Sequence, residues 1–101
     1  MENEFLKYIG DYRVDDSRVK KITKLKEDVI VKLTNEDEDD IEITFSGVRE
    51  IYENKAEGMI LYSICEMKEV EPFRKFSFVN TDEEDESYLD IVALSYSILI
   101  K

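Results

Sequence analysis

Two runs of carboxylates are the strongest candidates for chemistry in this sequence. They span residues 36–40 and 82–86, and each holds five acidic side chains in succession. Paired carboxylates can serve as a general acid and base, several together can hold a divalent cation, and a dense group can dock on a basic surface. The simplest interpretation is that both runs are solvated loops, because charge runs usually remain in water.

The residues required for cation binding or catalysis are mostly missing. An EF-hand calcium loop needs Gly at its sixth position and Glu at its twelfth, but counting from Asn35 these positions hold Asp40 and Ser46. The chain has no His, which excludes His-based zinc sites and acid–base chemistry, and Cys65 lies in an apolar segment with no base to activate it. We therefore expect a non-catalytic protein with no metal and no cofactor.

The charge balance limits the class of partner. With 14 basic and 25 acidic residues, the net charge is −11 over 101 residues. Nucleic acids and anionic membrane surfaces both attract basic segments, so neither is expected as a partner. No apolar run is long enough to span a bilayer, and a single cysteine is typical of reducing compartments. We expect one domain over residues 1–101, located in the cytoplasm.

A protein with a basic surface is the partner that this acidity favours, because complementary potentials accelerate association. The contact residues we predict are the acidic side chains Asp37, Asp39, Asp40, Asp82, Glu84 and Asp85. The only basic concentration is the alternating set Arg18, Lys20, Lys24 and Lys26. It could pair with an acidic loop of the same chain, or with that of a second copy, which would give a homo-oligomer.

The elements that must position these loops are mainly strands. Residues 28–34 and 41–46 alternate apolar and polar side chains around the polar residues 35–40, which predicts a β-hairpin with Lys32 opposite Glu42. Phe5, Ile9 and Tyr12 instead recur at helical spacing.

We predict a short helix over residues 3–9, with Asn3 as its N-cap and Gly10 at its end. The expected fold is α+β, a mainly antiparallel sheet with this helix packed on one face.

Four further segments complete the expected fold. Residues 18–26 predict a strand in which Ile22 breaks the alternation, through either a β-bulge or a helical turn. Residues 46–52 have the spacing of a turn or short helix, and residues 59–65 are apolar on both faces, as in a central strand. Residues 88–100 form one long strand or two shorter ones.

Residues 9–52 carry a recognisable succession of features. An acidic dipeptide, Asp15-Asp16, precedes two strands, an acidic hairpin loop, a third strand and the turn Phe45-Ser46-Gly47-Val48. This succession resembles small bacterial immunity-type families, which neutralise the polymorphic toxin of a neighbouring cell. The resemblance implies a cytoplasmic binding protein without catalysis. The alternative hypothesis is a structural subunit that self-associates through a sheet edge near Pro72 or through residues 88–100.

Overall fold

A computed structural model describes residues 4–101, and all regular structure in this range is β. The strands are β1 (Phe5–Tyr8), β2 (Arg18–Lys24), β3 (Asp28–Thr34), β4 (Asp40–Ser46), β5 (Glu50–Asn54), β6 (Leu61–Met67), β7 (Arg74–Asn80), β8 (Tyr88–Ala93) and β9 (Ser95–Ile100). They form two antiparallel sheets, in the orders β1-β6-β7-β8-β5 and β2-β3-β4-β9. The predicted α+β class is therefore wrong, because residues 4–101 contain no helix.

The hairpin of β3 and β4 confirms the prediction from alternation. The two strands pair in an unbroken antiparallel register, in which Lys32 lies opposite Glu42. All six predicted inward side chains are buried, namely Val29, Val31, Leu33, Ile41, Ile43 and Phe45. Both strands are long and alternate regularly, so the local sequence pattern is sufficient to specify which face of each strand is buried.

The N-terminal segment forms a strand where a helix was predicted. β1 pairs with β6 at the edge of the larger sheet, and its side chains are exposed, so it does not cover a sheet face. A two-turn helix gains little from its own hydrogen bonds, whereas β6 offers a ladder of backbone partners. Gly10 follows at φ +77°, in a turn rather than at a helix end. The predicted cap Asn3 lies outside the described residues.

A β-bulge in β2 explains the broken alternation in its sequence. The register shifts between Val19 and Lys21, so Lys20 is the additional residue, and Ile22 then lies opposite Val31. The interpretation of this segment as a bulged strand is confirmed. The predicted continuous basic face is not formed, because the bulge reverses the side-chain parity between Arg18 and Lys24. Lys24 instead forms an ion pair with Glu53 of β5, across the two sheets.

Two neighbouring chain segments pass from one sheet to the other and form a shared corner. β4 continues through residues 47–49 into β5, and β8 continues through Leu94 into β9. β4 pairs with β9 while β5 pairs with β8, so the two segments make one bent antiparallel ribbon. The helix considered for residues 46–52 is absent, and of the two alternatives for residues 88–100 the structure has the pair of shorter strands.

The core lies between the two sheets and contains a group of packed aromatic rings. Phe45 of β4 lies 5.2 Å from Phe76 of β7, measured between ring centroids, and Tyr96 of β9 lies 5.1 Å from Phe76. Phe78 packs against Phe45 from the same strand as Phe76. These contacts join both sheets into one compact domain. No helix long and apolar enough to cross a bilayer occurs among residues 4–101.

An ion pair adjoins this aromatic group. Glu66 of β6 is only 5% exposed, and Arg74 donates from Nε and Nη2 to its two carboxylate oxygens at 2.8 and 2.9 Å. The guanidinium carbon of Arg74 also lies 5.4 Å from the ring centroids of Phe76 and Tyr96. Arg74 therefore links a buried carboxylate to rings from both sheets.

Candidate functional site

The loop between β3 and β4 holds its acidic side chains on a compact hydrogen-bonded frame. Asn35 is buried, and its Oδ1 accepts hydrogen bonds from the backbone amides of Asp37 and Asp39, both at 2.9 Å. Glu38 adopts a φ of +66°, which lets the chain reverse direction. Because one side-chain oxygen bonds two amides, the loop is fixed by its backbone while its carboxylates remain outside the frame.

The loop between β7 and β8 uses some of its own carboxylates for order. The Asp82 amide donates to Asn80 Oδ1, and Asp82 Oδ1 in turn accepts from the Glu84 amide, each at 2.9 Å. Asp85 Oδ1 accepts from both the amide and the hydroxyl of Ser87. These bonds, with a contribution from Asn80, lower the pKa of Asp85 below its ordinary value.

The six predicted contact residues come from the two acidic loops, and a part of each loop lies near Ile60. Of the six, all are exposed except Asp39, which is half-buried. Ile60 lines one shallow cavity together with Glu36 of the first loop, and a second cavity together with Asp82 and Asp85 of the other loop. The structure thus places both loops around one residue of the chain.

Asp40 differs from the other predicted contacts because it begins β4 and lies among basic residues. It lines a cavity with Lys20, Lys21, Lys32 and Lys101. These lysines come from three different segments, so the grouping depends on the tertiary fold. Asp40 therefore lies beside a locally basic surface, unlike the carboxylates at the loop tips.

A third acidic loop, which includes the dipeptide Asp15-Asp16, connects β1 to β2. Its Asp11 forms an ion pair with Arg13, with Nη2 of the guanidinium 2.6 Å from the carboxylate. Asp15 forms no ion pair with a cation of residues 4–101, and the pKa of its carboxyl is raised by partial burial and by the nearby charges of Asp16 and Asp11. The Asp16 amide donates to the carbonyl of Leu61 at 2.9 Å, which fixes the loop against β6.

Three tyrosines surround a cavity beside this loop. Tyr8 of β1, Tyr12 of the loop and Tyr62 of β6 line a space of about 290 Å³, together with Asp11, Asp15 and the buried Ser63. The neighbouring phenol of Tyr62 is the largest cause of the raised pKa of Tyr8.

The sequence contains Tyr8, Tyr12 and Tyr62 but gives no sign of their proximity. Because residues 3–9 were predicted to form a helix, Tyr8 was not expected to lie beside β6 or near Tyr62. The antiparallel pairing of β1 with β6, in which Tyr8 lies opposite Cys65, places the two strands side by side. The one sequence feature that relates to this cavity is the unusual content of six tyrosines in a short chain.

The remaining described side chains indicate neither a metal-binding site nor a reactive thiol. In the part of the chain that the structure describes, no group of three or more His, Cys, Asp or Glu side chains is placed to hold a metal ion. Cys65 is buried, and its Sγ lies 3.8 Å from the hydroxyl of Ser63.

Comparison of this chain with known protein families, with curated protein sequences and with solved structures gives no significant match in any of the three.

Proposed function

We propose that this protein is a non-catalytic binding domain for a protein partner with a basic surface. The observation that carries this proposal is that the two loops holding residues 36–40 and 82–86 are acidic, exposed and held by internal hydrogen bonds. Ordered loops lose little conformational freedom when a partner binds, which lowers the entropic cost of association. The six contact residues remain those predicted from the sequence.

Electrostatic steering is the mechanism by which such loops would act. The net charge of −11 gives the molecule a long-range field, and the exposed loop carboxylates concentrate this field. A basic partner would be attracted before contact and oriented as it approaches, which raises the association rate more than the final affinity. Dissolved salt screens such attraction over about 10 Å at 0.1 M, so the rate should fall as salt is added.

A finer proposal comes from the resemblance of residues 9–52 to immunity-type families. On that proposal the protein is cytoplasmic, and its partner is a basic toxin whose activity it blocks by binding. The acidic dipeptide Asp15-Asp16 lies in the loop before β2, and the acidic hairpin loop follows β3, as in the succession of features described above.

The alternative function is a structural subunit that self-associates through a sheet edge. One observation favours it: β9 is the outer strand of the smaller sheet, and its Leu99 is exposed. Unpaired edge strands can add a further strand from another chain. The edge considered near Pro72 is a loop between β6 and β7, so β9 is the segment to which this hypothesis now applies.

The test begins by capturing binding partners from the lysate of the source cell and washing them at low and high salt. The association rate of the captured protein is then measured with the double variant Asp37→Asn/Glu84→Gln. The matched control Glu27→Gln/Glu71→Gln removes two charges from exposed side chains outside the acidic loops. We expect the loop variant to slow association several-fold more than the control.

Two results would overturn the proposal. An association rate that does not change between low and high salt would exclude steering by the acidic loops. Equal effects of the loop variant and of its control would show that only total charge matters. Recovery of copies of the chain itself, with no other partner, would instead support the structural subunit.

A further inference from the structure

The cavity between the β1–β2 loop and β6 has aromatic walls. Tyr8, Tyr12 and Tyr62 approach it from a strand, a loop and a second strand, and each is substantially exposed. Tyr12 is 81% exposed, although tyrosine is a large and partly apolar side chain. Tyrosine is enriched at the centres of protein interfaces because it buries a large area and loses few rotamers on binding.

Two carboxylates line the cavity, and they differ in their partners: Asp11 accepts hydrogen bonds from Arg13, with which it forms an ion pair. No hydrogen bond or ion pair to the Asp15 carboxylate is present among the described residues. Ser63 lies at the cavity wall, is only 6% exposed, and has no closer side-chain partner than the sulfur of Cys65 at 3.8 Å. A cation arriving here would meet the unpaired carboxylate of Asp15, the Ser63 hydroxyl and the phenol hydroxyls of the tyrosines.

The size and shape of the cavity fit a single side chain. Sites for small molecules usually have volumes of about 300–1,000 Å³, so a cavity of about 290 Å³ lies at the lower limit. A guanidinium group is planar, stacks on aromatic rings and donates several hydrogen bonds from fixed positions. It therefore matches tyrosine walls with a carboxylate and a hydroxyl better than the compact ammonium group of lysine does.

We infer that this cavity receives an arginine side chain of the partner protein, with Asp15 and Ser63 accepting its hydrogen bonds and Tyr12 packing on its planar face. The inference rests on the proposed function, since it names the part of a basic partner that is recognised. It also assigns the specific contact to the β1–β2 loop, while the acidic loops supply attraction at longer range.

The experiment titrates the isotope-labelled full chain with a short acetylated peptide, Gly-Arg-Gly-amide, and follows backbone amide shifts by NMR. We expect saturable shifts concentrated at residues 8–16, 62 and 63, with a dissociation constant on the order of millimolar, as for one side chain. A peptide with citrulline in place of arginine removes the charge and keeps the shape, and it should give no saturable shift. A lysine peptide should bind several-fold more weakly.

Two pairs of variants test the assigned contacts. Asp15→Asn should weaken binding of the arginine peptide roughly tenfold, since it removes a charge-assisted hydrogen bond. The matched control Asp82→Asn, with the same change of charge in another loop, should leave the affinity within about twofold. Tyr12→Ala should weaken binding several-fold while Tyr12→Phe, which keeps the ring, should not.

The inference fails if no saturable shift occurs, if citrulline or lysine binds as well as arginine, or if Asp15→Asn and Asp82→Asn have equal effects. Its failure is distinguishable from failure of the proposed function. A basic partner whose binding depends on Asp37 and Glu84 but not on Asp15 or Tyr12 would leave the proposed function standing and remove only the arginine site.

Discussion

At the scale of single residues, the clearest energetic feature is the pairing of Glu66 with Arg74. Burying a carboxylate removes a large hydration free energy, and the two hydrogen bonds from the guanidinium offset this loss. Local sequence gives no indication of this pair, because Glu66 follows an apolar strand segment and Arg74 lies beyond the next loop. The pairing of the consecutive strands β6 and β7 brings the two side chains together.

The variant Glu66→Gln should therefore lower the free energy of unfolding by about 1–3 kcal/mol at neutral pH. The amide cannot accept both hydrogen bonds, and it leaves the guanidinium charge without its partner. Urea unfolding followed by circular dichroism measures the change. Glu83→Gln, the same substitution on an exposed loop, should stay within about 0.5 kcal/mol of the natural protein.

The same pair predicts a specific pH dependence. Hydrogen bonding by Arg74 holds the pKa of Glu66 below its ordinary value of 4.5, although burial opposes this. The stabilisation is therefore complete above that value and is lost as the pH falls through the lower pKa of the folded protein. The difference in unfolding free energy between the natural protein and Glu66→Gln should narrow below about pH 4.5. A difference in unfolding free energy that stayed constant down to about pH 2 would contradict the ion pair. This limit lies well below the ordinary carboxyl pKa of roughly 4.

At the scale of elements, the corner shared by the two sheets depends on close packing at a glycine. Gly47 has a φ of +67°, and a Cβ placed there would lie 2.6 Å from Cδ1 and 2.8 Å from Cγ of Leu94. Leu94 is the single residue that connects β8 to β9, and its amide donates to the carbonyl of Ser46. The two segments of the ribbon therefore touch where both change sheets.

We expect Gly47→Ala to destabilise the protein by about 1–3 kcal/mol more than Gly58→Ala. Gly58 also has a positive φ, +98°, but a Cβ there would meet nothing within 4 Å. The control thus carries the conformational penalty without the contact. Thermal unfolding of both variants provides the comparison, and Leu94→Ala should restore part of the loss in the Gly47→Ala background. Equal losses at the two glycines would show that packing at the corner is unimportant.

The elements also show where reasoning from sequence succeeds and where it fails. The β3–β4 hairpin was predictable because both strands alternate regularly and are joined by a short polar loop. β1 was not, since Phe5, Ile9 and Tyr12 satisfy a helical period while the actual partner, β6, lies more than fifty residues away. The position of Ile22 indicated the bulge in β2. Its effect, that the lysines do not share one face, followed only from the register.

At the scale of the whole molecule, the dominant feature is excess negative charge on a small two-sheet domain. The acidic runs were visible in the sequence, as was the burial of the alternating apolar residues. The division into two sheets was not, because it depends on which strands pair. For the same reason the tyrosine cavity could not be predicted: its walls come from β1, the following loop and β6.

Self-repulsion among the carboxylates predicts that salt stabilises this protein. Raising sodium chloride from about 10 mM to about 300 mM shortens the screening distance from roughly 30 Å to less than 10 Å. The melting temperature should rise by several degrees, because about 1 kcal/mol corresponds to 4–8 °C for a domain of this size. The neutralised variant Asp37→Asn/Glu84→Gln should show a smaller rise. A melting temperature that fell with salt would mean that the surface ion pairs outweigh the repulsion.

The bent ribbon of β4–β5 and β8–β9 also bears on how the molecule comes apart. In each sheet, two strands belong to chain segments that continue directly into the other sheet. Neither sheet can therefore detach while the other keeps its hydrogen bonds. Unfolding should then be a single cooperative event, in which the exchange of core amides of both sheets with solvent reports one common free energy of opening. The acidic loops lie at the far ends of the strands from this corner, so local opening there does not require that event, and their amides should exchange faster than those of the core.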